Sequence, residues 1–447
     1  MDIIIKLSQF LLSLSLLIIL HELGHFIPAK LFKTRVEKFY LFFDVKYSLL
    51  KKKIGETEYG IGWLPLGGYV KISGMIDESM DKEQMALPPQ PWEFRSKPAW
   101  QRLIIMLGGV TVNFILAFII YIGMAFAYGD TYIANSDLKD GVWITNPALI
   151  KAGFKTGDKI LAVDGTKIVK FDGEINIKII MSKEVLIERN GKQQTVKIPI
   201  DFIDQLSKEE KGLLIYQRIP FVVNTLTEDS PNTNLKSKDM FLSLNGEKVK
   251  YYDQVESILN RNKGKVISAV ILRNLKEMKI TLKVSNKGII GVKPALLDNN
   301  SLDKLGYYKV STQNYGFLES IPVGIQEGKD QLIGYGKQLK MIFNPDTGAY
   351  KGVGGFAAIY NIFPNSWSWE VFWGITALLS IMLGVMNLLP IPALDGGHVI
   401  FLLYEIVSGK KPSDKFLENA QMVGFVLLIS LLLFANGNDI YKAVIGK

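Results

Sequence analysis

The segment LSQFLLSLSLLIILHELGHFIPA, residues 7–29, carries a single formal charge, on Glu22. A helix of about 20 apolar residues is long enough to cross the hydrocarbon core of a bilayer. Three further segments of similar length carry no formal charge, residues 103–129, 371–394 and 419–438. These four segments predict a polytopic α-helical membrane protein with spans at about 5–29, 103–129, 371–394 and 419–436.

The first apolar run follows Lys6, as the core of a secretory signal peptide would. However, it has no small-x-small cleavage site, and it continues directly into the sequence His-Glu-Leu-Gly-His. We therefore interpret it as a membrane span that stays in the protein.

Composition bounds the remaining possibilities. The chain has 447 residues, of which 48% are hydrophobic and 21% charged, so it is not a disordered chain. It has no cysteine, which excludes a disulfide framework, a cysteine-ligated metal site and a cysteine nucleophile. The net charge of +9 is compatible with a nucleic acid or with a membrane surface, and its distribution favours the membrane.

Lysine and arginine occur in two of the connections between predicted spans. The first connection holds Lys30, Lys33, Arg35, Lys38, Lys46, Lys51, Lys52, Lys53, Lys71, Lys82, Arg95, Lys97 and Arg102, and the last holds Lys410, Lys411 and Lys415. Loops rich in these residues stay in the cytoplasm. The long region 130–370 is then extracytoplasmic. No basic cluster is interleaved with aromatic residues, so we expect no nucleic-acid partner.

Residues 130–350 have the short, alternating apolar runs of a β-rich region. The stretch 146–165 has a proline-initiated turn, an aspartate, a strand and an Asp-Gly turn, and 229–246 is a weaker copy that ends in Asn-Gly. Both copies resemble the core of PDZ domains, which bind extended peptides at a sheet edge. We predict PDZ-like domains at 130–215 and 216–300. The alternative is a pair of β-rich spacers that bind nothing.

His21-Glu22-Leu23-Gly24-His25 closes the first span. Two histidines four residues apart lie on one helical face and can hold one zinc ion, while the intervening glutamate reaches a water activated by the metal. An ionisable residue inside a span is costly and usually marks a functional site. A lone glutamate could simply reach for the interface, but that does not explain two flanking histidines among the three in the chain.

A zinc site of this kind needs a third protein ligand. The segment NLLPIPALDGGH, residues 387–398, ends the third predicted span, and its two prolines must break the helix there. This places Asp395 near the cytoplasmic side, at roughly the depth of His21. Asp395 could equally belong to an ordinary Asp-Gly turn. His398 lies beyond the glycine pair 396–397, and we do not expect it to be a ligand.

HExxH in the first span and N-x-x-P-x-P-x-L-D-G in a later one resemble the site-2 protease family of intramembrane zinc metalloproteases, of the bacterial regulator-of-sigma-E type. The glycine-rich segment 60–74 and the run 94–102 belong to the likeness as well. With the PDZ-like pair, it extends over nearly the whole chain. Two positions depart from it, since Gly108-Gly109-Val110 replaces Ala-Gly-Pro and a Gly-Pro pair is missing near 352–356. These departures affect how helices begin, and they leave the motifs intact.

The resemblance implies that His21, His25 and Asp395 bind Zn²⁺ and that Glu22 is the general base. It implies cleavage of single-span membrane proteins, such as anti-sigma factors, or of signal-peptide remnants, after trimming by an upstream protease. It also implies a bacterial cytoplasmic membrane. Asn387 matches the family asparagine, and its side chain could hold the substrate backbone or bond to the broken helix.

The segment 59–74 alternates in part and is rich in glycine. We predict a β-hairpin that dips into the membrane and pairs with an unwound substrate through Val70, or otherwise an amphipathic surface loop. The expected organisation is a membrane part at 1–129, the two PDZ-like domains, a linker and interfacial segment at 301–370, and a second membrane part at 371–447.

Two other functions compete with the protease. A catalytically silent PDZ scaffold would be free to lose any of the four motif residues, and all four are present. A metal transporter would have further ionisable residues in its spans and inverted repeats, and neither is visible. The PDZ-like pair itself could bind a trimmed C-terminus or exclude substrates with bulky extracytoplasmic domains.

Overall fold

The computed structural model describes residues 2–65, 67–75, 87–208, 214–295 and 297–445. The chain divides into two compact units. The first comprises Met1–Gly129, Asn314–Phe343 and Ala349–Lys447, and the second comprises Asp130–Gln313 and Asn344–Gly348. Among the described residues, four helices are long and apolar enough to cross a membrane: Asp2–Leu31, Ala99–Tyr128, Trp369–Leu388 and Asp414–Val444. These four apolar helices fit the predicted polytopic membrane protein.

A four-stranded sheet is formed by residues that lie between helices α1 (Asp2–Leu31) and α2 (Ala99–Tyr128) in the sequence. Its strands are β1 (Val36–Leu41), β2 (Phe43–Ile54), β3 (Thr57–Leu64) and β4 (Tyr69–Ile72), in the order β2-β3-β1-β4. Strands β1 and β3 are parallel, and the other pairs are antiparallel. Strands β3 and β4 therefore do not pair with each other. The segment 59–74 contributes to β3, an inner strand, and to β4, an edge strand, and is not the predicted hairpin. Leu66 and Lys82 lie outside the described residues.

The second unit contains two copies of one strand arrangement. The first copy contains β6 (Val142–Ile144), α3 (Pro147–Ala152), β7 (Lys159–Val163), β8 (Thr166–Lys167), α4 (Glu174–Ile180), β10 (Glu184–Arg189), β11 (Lys192–Lys197), α5 (Phe202–Leu206) and β12 (Ile215–Gln217). The second contains β13 (Val223–Leu226), β14 (Met240–Leu244), β15 (Glu247–Lys248), α6 (Val255–Arg261), β16 (Val266–Arg273), β17 (Lys276–Lys283) and β18 (Val292–Pro294). The sheets are ordered β11-β10-β7-β8 and β17-β16-β14-β15, and the pairs β6-β12 and β13-β18 correspond as well.

A buried ion pair recurs at the same place in both copies. Asp158 bonds to Arg189 and accepts a hydrogen bond from the backbone of Lys155. Asp239 bonds to Arg273 and accepts one from the backbone of Lys236 in the same manner. Both aspartates are fully buried, so each needs such a partner. This likeness supports the internal repeat that the sequence indicated, although the second copy lacks the glycine before its aspartate.

The second unit is completed by a three-stranded sheet, β19-β5-β9, made of Val310–Gln313, Asp130–Ala134 and Lys170–Phe171, and by helix α7 (Asn299–Lys304). Between the two copies, Lys250 and Tyr251 donate hydrogen bonds to Asp140. These bonds hold the pKa of the Asp140 carboxyl below its ordinary value.

The last part of the chain is helical. It contains α8 (Phe317–Ile342), α9 (Phe356–Ile362), α10 (Trp369–Leu388), α11 (Asp395–Ser408) and α12 (Asp414–Ile445). Much of the predicted linker at 301–370 is therefore a long helix, α8. Gly324 and Gly328 of α8 lie directly against Ile122 and Phe118 of α2, where a Cβ atom would collide. Helix α8 thus packs closely on the second span, and this contact was not anticipated from the sequence.

Candidate active site

Helix α1 presents His21 and His25 one turn apart on the same face. Both rings are buried, and their Nε2 atoms lie 3.3 Å from each other. The close approach of α2 makes this burial possible, because Gly24 of α1 lies against Gly108 of α2. A Cβ on Gly24 would fall 2.4 Å from the Gly108 carbonyl oxygen. Gly108, which stands where the family has alanine, therefore allows the two helices to touch behind the histidines.

The third predicted span ends earlier than expected. Helix α10 stops at Leu388 instead of continuing to residue 394, and α11 begins at Asp395. The prolines at 390 and 392 account for the break, since each removes a backbone donor. In the connecting loop, Ala393 has a φ of 82°, and its N–H donates to the buried side chain of Gln421 on α12. The break places the Asp395 carboxylate beside α1.

The Asp395 Oδ2 atom lies 3.4 Å from Nε2 of His21 and 3.4 Å from Nε2 of His25. Tetrahedral zinc with bonds of about 2.0–2.2 Å holds neighbouring ligand atoms about 3.3–3.6 Å apart. The Oδ2 atom is buried and has no hydrogen-bond partner among the described residues. An orphaned carboxylate oxygen facing two ring nitrogens is the donor set of a metal ion, and the spacing fits zinc.

A family model described as peptidase family M50 matches residues 9–431. The chain belongs to this family. It is 28% identical to the regulator of sigma E protease of Haemophilus influenzae, over 98% of this chain and 99% of that protein. It is 27% identical to the regulator of sigma-E protease RseP of Escherichia coli, over 97% and 98%. A Rickettsia conorii protein described as a candidate zinc metalloprotease is 27% identical, over 96% and 97%. The protein is a zinc metalloprotease of the site-2 protease family.

Glu22 of the protease lies beside the three candidate metal ligands, at the edge of a cavity of about 550 Å³. The cavity is lined on one side by His21, His25 and Asp395 and on the other by strand β4, including Val70. Gly68 brings the start of this strand against α1, since a Cβ there would lie 2.4 Å from Ile18. Glu22 and Val70 therefore line the same cavity.

Asn387 is the last of the predicted site residues. It lies in the final turn of α10, and its amide nitrogen is 3.2 Å from Nε2 of His21. Its side chain therefore faces His21, a candidate metal ligand, and not the broken backbone of the loop that follows. His398 is not part of the metal-binding group formed by His21, His25 and Asp395.

Sequence reasoning missed the groups on α2 that hold the histidine rings. The carbonyl oxygen of Ile105 lies 2.8 Å from Nδ1 of His25, and the Asn113 amide lies 3.0 Å from Nδ1 of His21. A backbone carbonyl leaves no signature in a sequence. Asn113 does leave one, because it is the only asparagine in the uncharged run of 27 residues at 103–129.

Proposed function

We propose that the protease hydrolyses peptide bonds within or near the transmembrane segments of single-span membrane proteins. This proposal rests on which helices supply the residues of the site. Its metal ligands come from α1 and from the break between α10 and α11, so the site is built from membrane-type helices. A soluble substrate has no reason to reach such a position, whereas a substrate helix in the bilayer does.

The distribution of charge indicates on which side of the membrane the site lies. Lysine and arginine occur in the connections that follow α1 and precede α12, so both ligand-bearing helix ends are inferred to lie near the cytoplasm. The inferred location is the bacterial cytoplasmic membrane, with the repeated β-rich unit outside. His21 and Asp395 then share one depth, which the distance between their side chains requires.

The roles of the residues follow from their chemistry. His21, His25 and Asp395 would hold zinc, which would supply a Lewis acid and make water acidic enough to ionise near neutral pH. Glu22 takes the proton from the attacking water and then delivers it to the leaving amine. Asn387 directs its N–H donor toward the place where the scissile carbonyl becomes negatively charged.

Substrate binding by strand addition is the second part of the proposal. Strand β4 pairs with β1 along one edge only and is the outer strand of the described sheet. Val70, opposite Phe39 in this pairing, also lines the cavity. An unwound substrate segment could hydrogen-bond to the outer edge of β4 and so lie across the metal ligands.

Replacing Val70 by proline removes a backbone donor from this strand. We expect Val70→Pro to reduce cleavage about tenfold or more, the effect of about one or two lost hydrogen bonds, with zinc retained. Val70→Ala keeps the donor and serves as the matched control. Cleavage rates and zinc content of the purified variants measure both effects. Full activity in Val70→Pro would rule out strand addition at this position.

The two repeats of the second unit fit a PDZ-like role by their shared strand order and their peptide-sized sheet edges. They act either by binding the new C-terminus of a substrate trimmed by another protease or by excluding substrates with large extracytoplasmic domains. Two relatives are named for the regulation of sigma E, and anti-sigma factors are accordingly the proposed substrates. Signal-peptide remnants share the same single-span form.

The test uses the purified full-length protein in detergent with a single-span model substrate that lacks a folded extracytoplasmic domain. Mass spectrometry of the products locates the cut. We expect cleavage inside or at the edge of the apolar segment, abolished by a zinc chelator. Cleavage confined to soluble parts of the substrate would contradict the proposal. Zinc-loaded protein without any cleavage would favour the silent scaffold.

A further inference from the structure

The side chain of Asn113 occupies a fully buried position on α2, behind the metal site. Its amide nitrogen lies 3.0 Å from Nδ1 of His21, and its amide oxygen is buried with no hydrogen-bond partner among the described residues. A buried polar atom without a partner is costly, and more so inside an apolar helix bundle. This combination requires an explanation.

The chemistry of His21 explains the unpaired amide oxygen of Asn113. The Nε2 atom of His21 faces Asp395 and His25, so coordination of a metal uses the lone pair on Nε2. A neutral imidazole with a bare Nε2 carries its proton on Nδ1, and that N–H needs an acceptor. The backbone of Gly109 also hydrogen-bonds to this ring, which a carbonyl can do only by accepting.

An amide NH₂ cannot accept the Nδ1 proton, whereas the amide oxygen can. Turning the Asn113 amide by 180° exchanges oxygen and nitrogen without changing the shape of the side chain. The exchange gives the amide oxygen a partner and gives the Nδ1–H of His21 a side-chain acceptor beside the Gly109 backbone.

The two histidines are held by different kinds of group. The Nδ1 atom of His25 lies 2.8 Å from the carbonyl oxygen of Ile105, which no substitution removes. For His21, one of the acceptors is the side chain of Asn113, which a substitution does remove. The backbone oxygen of Asn113 accepts a hydrogen bond of 2.7 Å from Ser380 on α10, and this bond does not involve the amide group of the side chain.

We propose that Asn113 is a positioning residue whose side-chain oxygen accepts the Nδ1 proton of His21 and thereby keeps Nε2 free for zinc. Groups that orient metal-binding histidines in this way typically change metal affinity about 10–100-fold when they are removed. The inference concerns the zinc site alone and does not depend on which substrate the protease cleaves.

The first measurement is zinc affinity, by competition with a chromophoric chelator, on purified protein in detergent. Asn113→Leu removes the acceptor at similar volume, and we expect about 10–100-fold weaker binding. Asn113→Asp keeps an acceptor at the same place and should restore most of the affinity. Ser380→Ala breaks the other hydrogen bond of Asn113 and is the matched control, with affinity expected to change by less than about threefold.

The second measurement reads the tautomer directly and needs no variant. The chain contains three histidines, so ¹⁵N-histidine labelling gives a small set of ring signals. In the zinc-loaded wild type we expect the His21 Nδ1 signal of a hydrogen-bonded N–H. A bare His21 Nδ1 would overturn the proposal even if Asn113→Leu failed to fold. Wild-type zinc affinity in a folded Asn113→Leu protein would overturn it as well.

Discussion

Replacing Glu22 by glutamine is expected to abolish peptide hydrolysis while zinc binding stays at the wild-type level. Glutamine has the shape of glutamate but cannot take a proton from water near neutral pH. Removal of a general acid–base group costs about 10²–10⁴-fold in rate, and we expect a loss in this range or larger. Glu22 lies at the cavity edge and not among the ligand atoms, so the metal should remain.

The measurement is the cleavage rate of the single-span substrate, with zinc quantified on the same samples. Glu370→Gln provides the matched control, because Glu370 is an exposed glutamate at the first turn of α10. We expect this control to cleave like the wild type. If Glu22→Gln retained activity within tenfold of the wild type, another group would have to move the proton, and the assignment of Glu22 would be wrong.

The site could be predicted from the sequence to the extent that its geometry is local. His21 and His25 lie four residues apart on one helix, so helical periodicity alone brings their rings together. Asp395 is far from them in sequence, and only the resemblance to a known family connected it with the histidines. Asn113 has no such motif in our sequence reading, and its role depends on how α2 packs against α1.

The fold, like the site, could be predicted from the sequence only where the signal is local. The four apolar helices were predictable because each is long and almost uncharged. Helix α8 was not, since it contains Pro322 and several glycines, which weaken a helical pattern. Two of those glycines serve packing against α2, which the sequence of α8 does not reveal. The hairpin prediction failed for a related reason, because a parallel strand, β1, lies between β3 and β4.

The loss of one carboxylate at the metal site leads to the second large prediction. Asp395→Asn keeps the size of the side chain but replaces a charged oxygen ligand by a neutral amide. Only two histidines then remain, whereas catalytic zinc sites use three protein ligands. We expect zinc affinity to fall by at least about 100-fold, because even groups that merely orient ligands contribute up to that amount. Hydrolysis should be lost with the metal.

Thermal unfolding separates this effect from a damaged fold. A ligand that binds the folded state raises its stability by RT ln(1 + [L]/Kd), so added zinc should raise the Tm of the wild type. The same zinc concentration should leave the Tm of Asp395→Asn unchanged, because its Kd is much higher. His398→Gln, one turn further along α11, is the matched control and should respond to zinc like the wild type. A full zinc response in Asp395→Asn would place the third ligand elsewhere. The break in the third span would then serve only to end α10, and the orphaned carboxylate oxygen would have no function at the site.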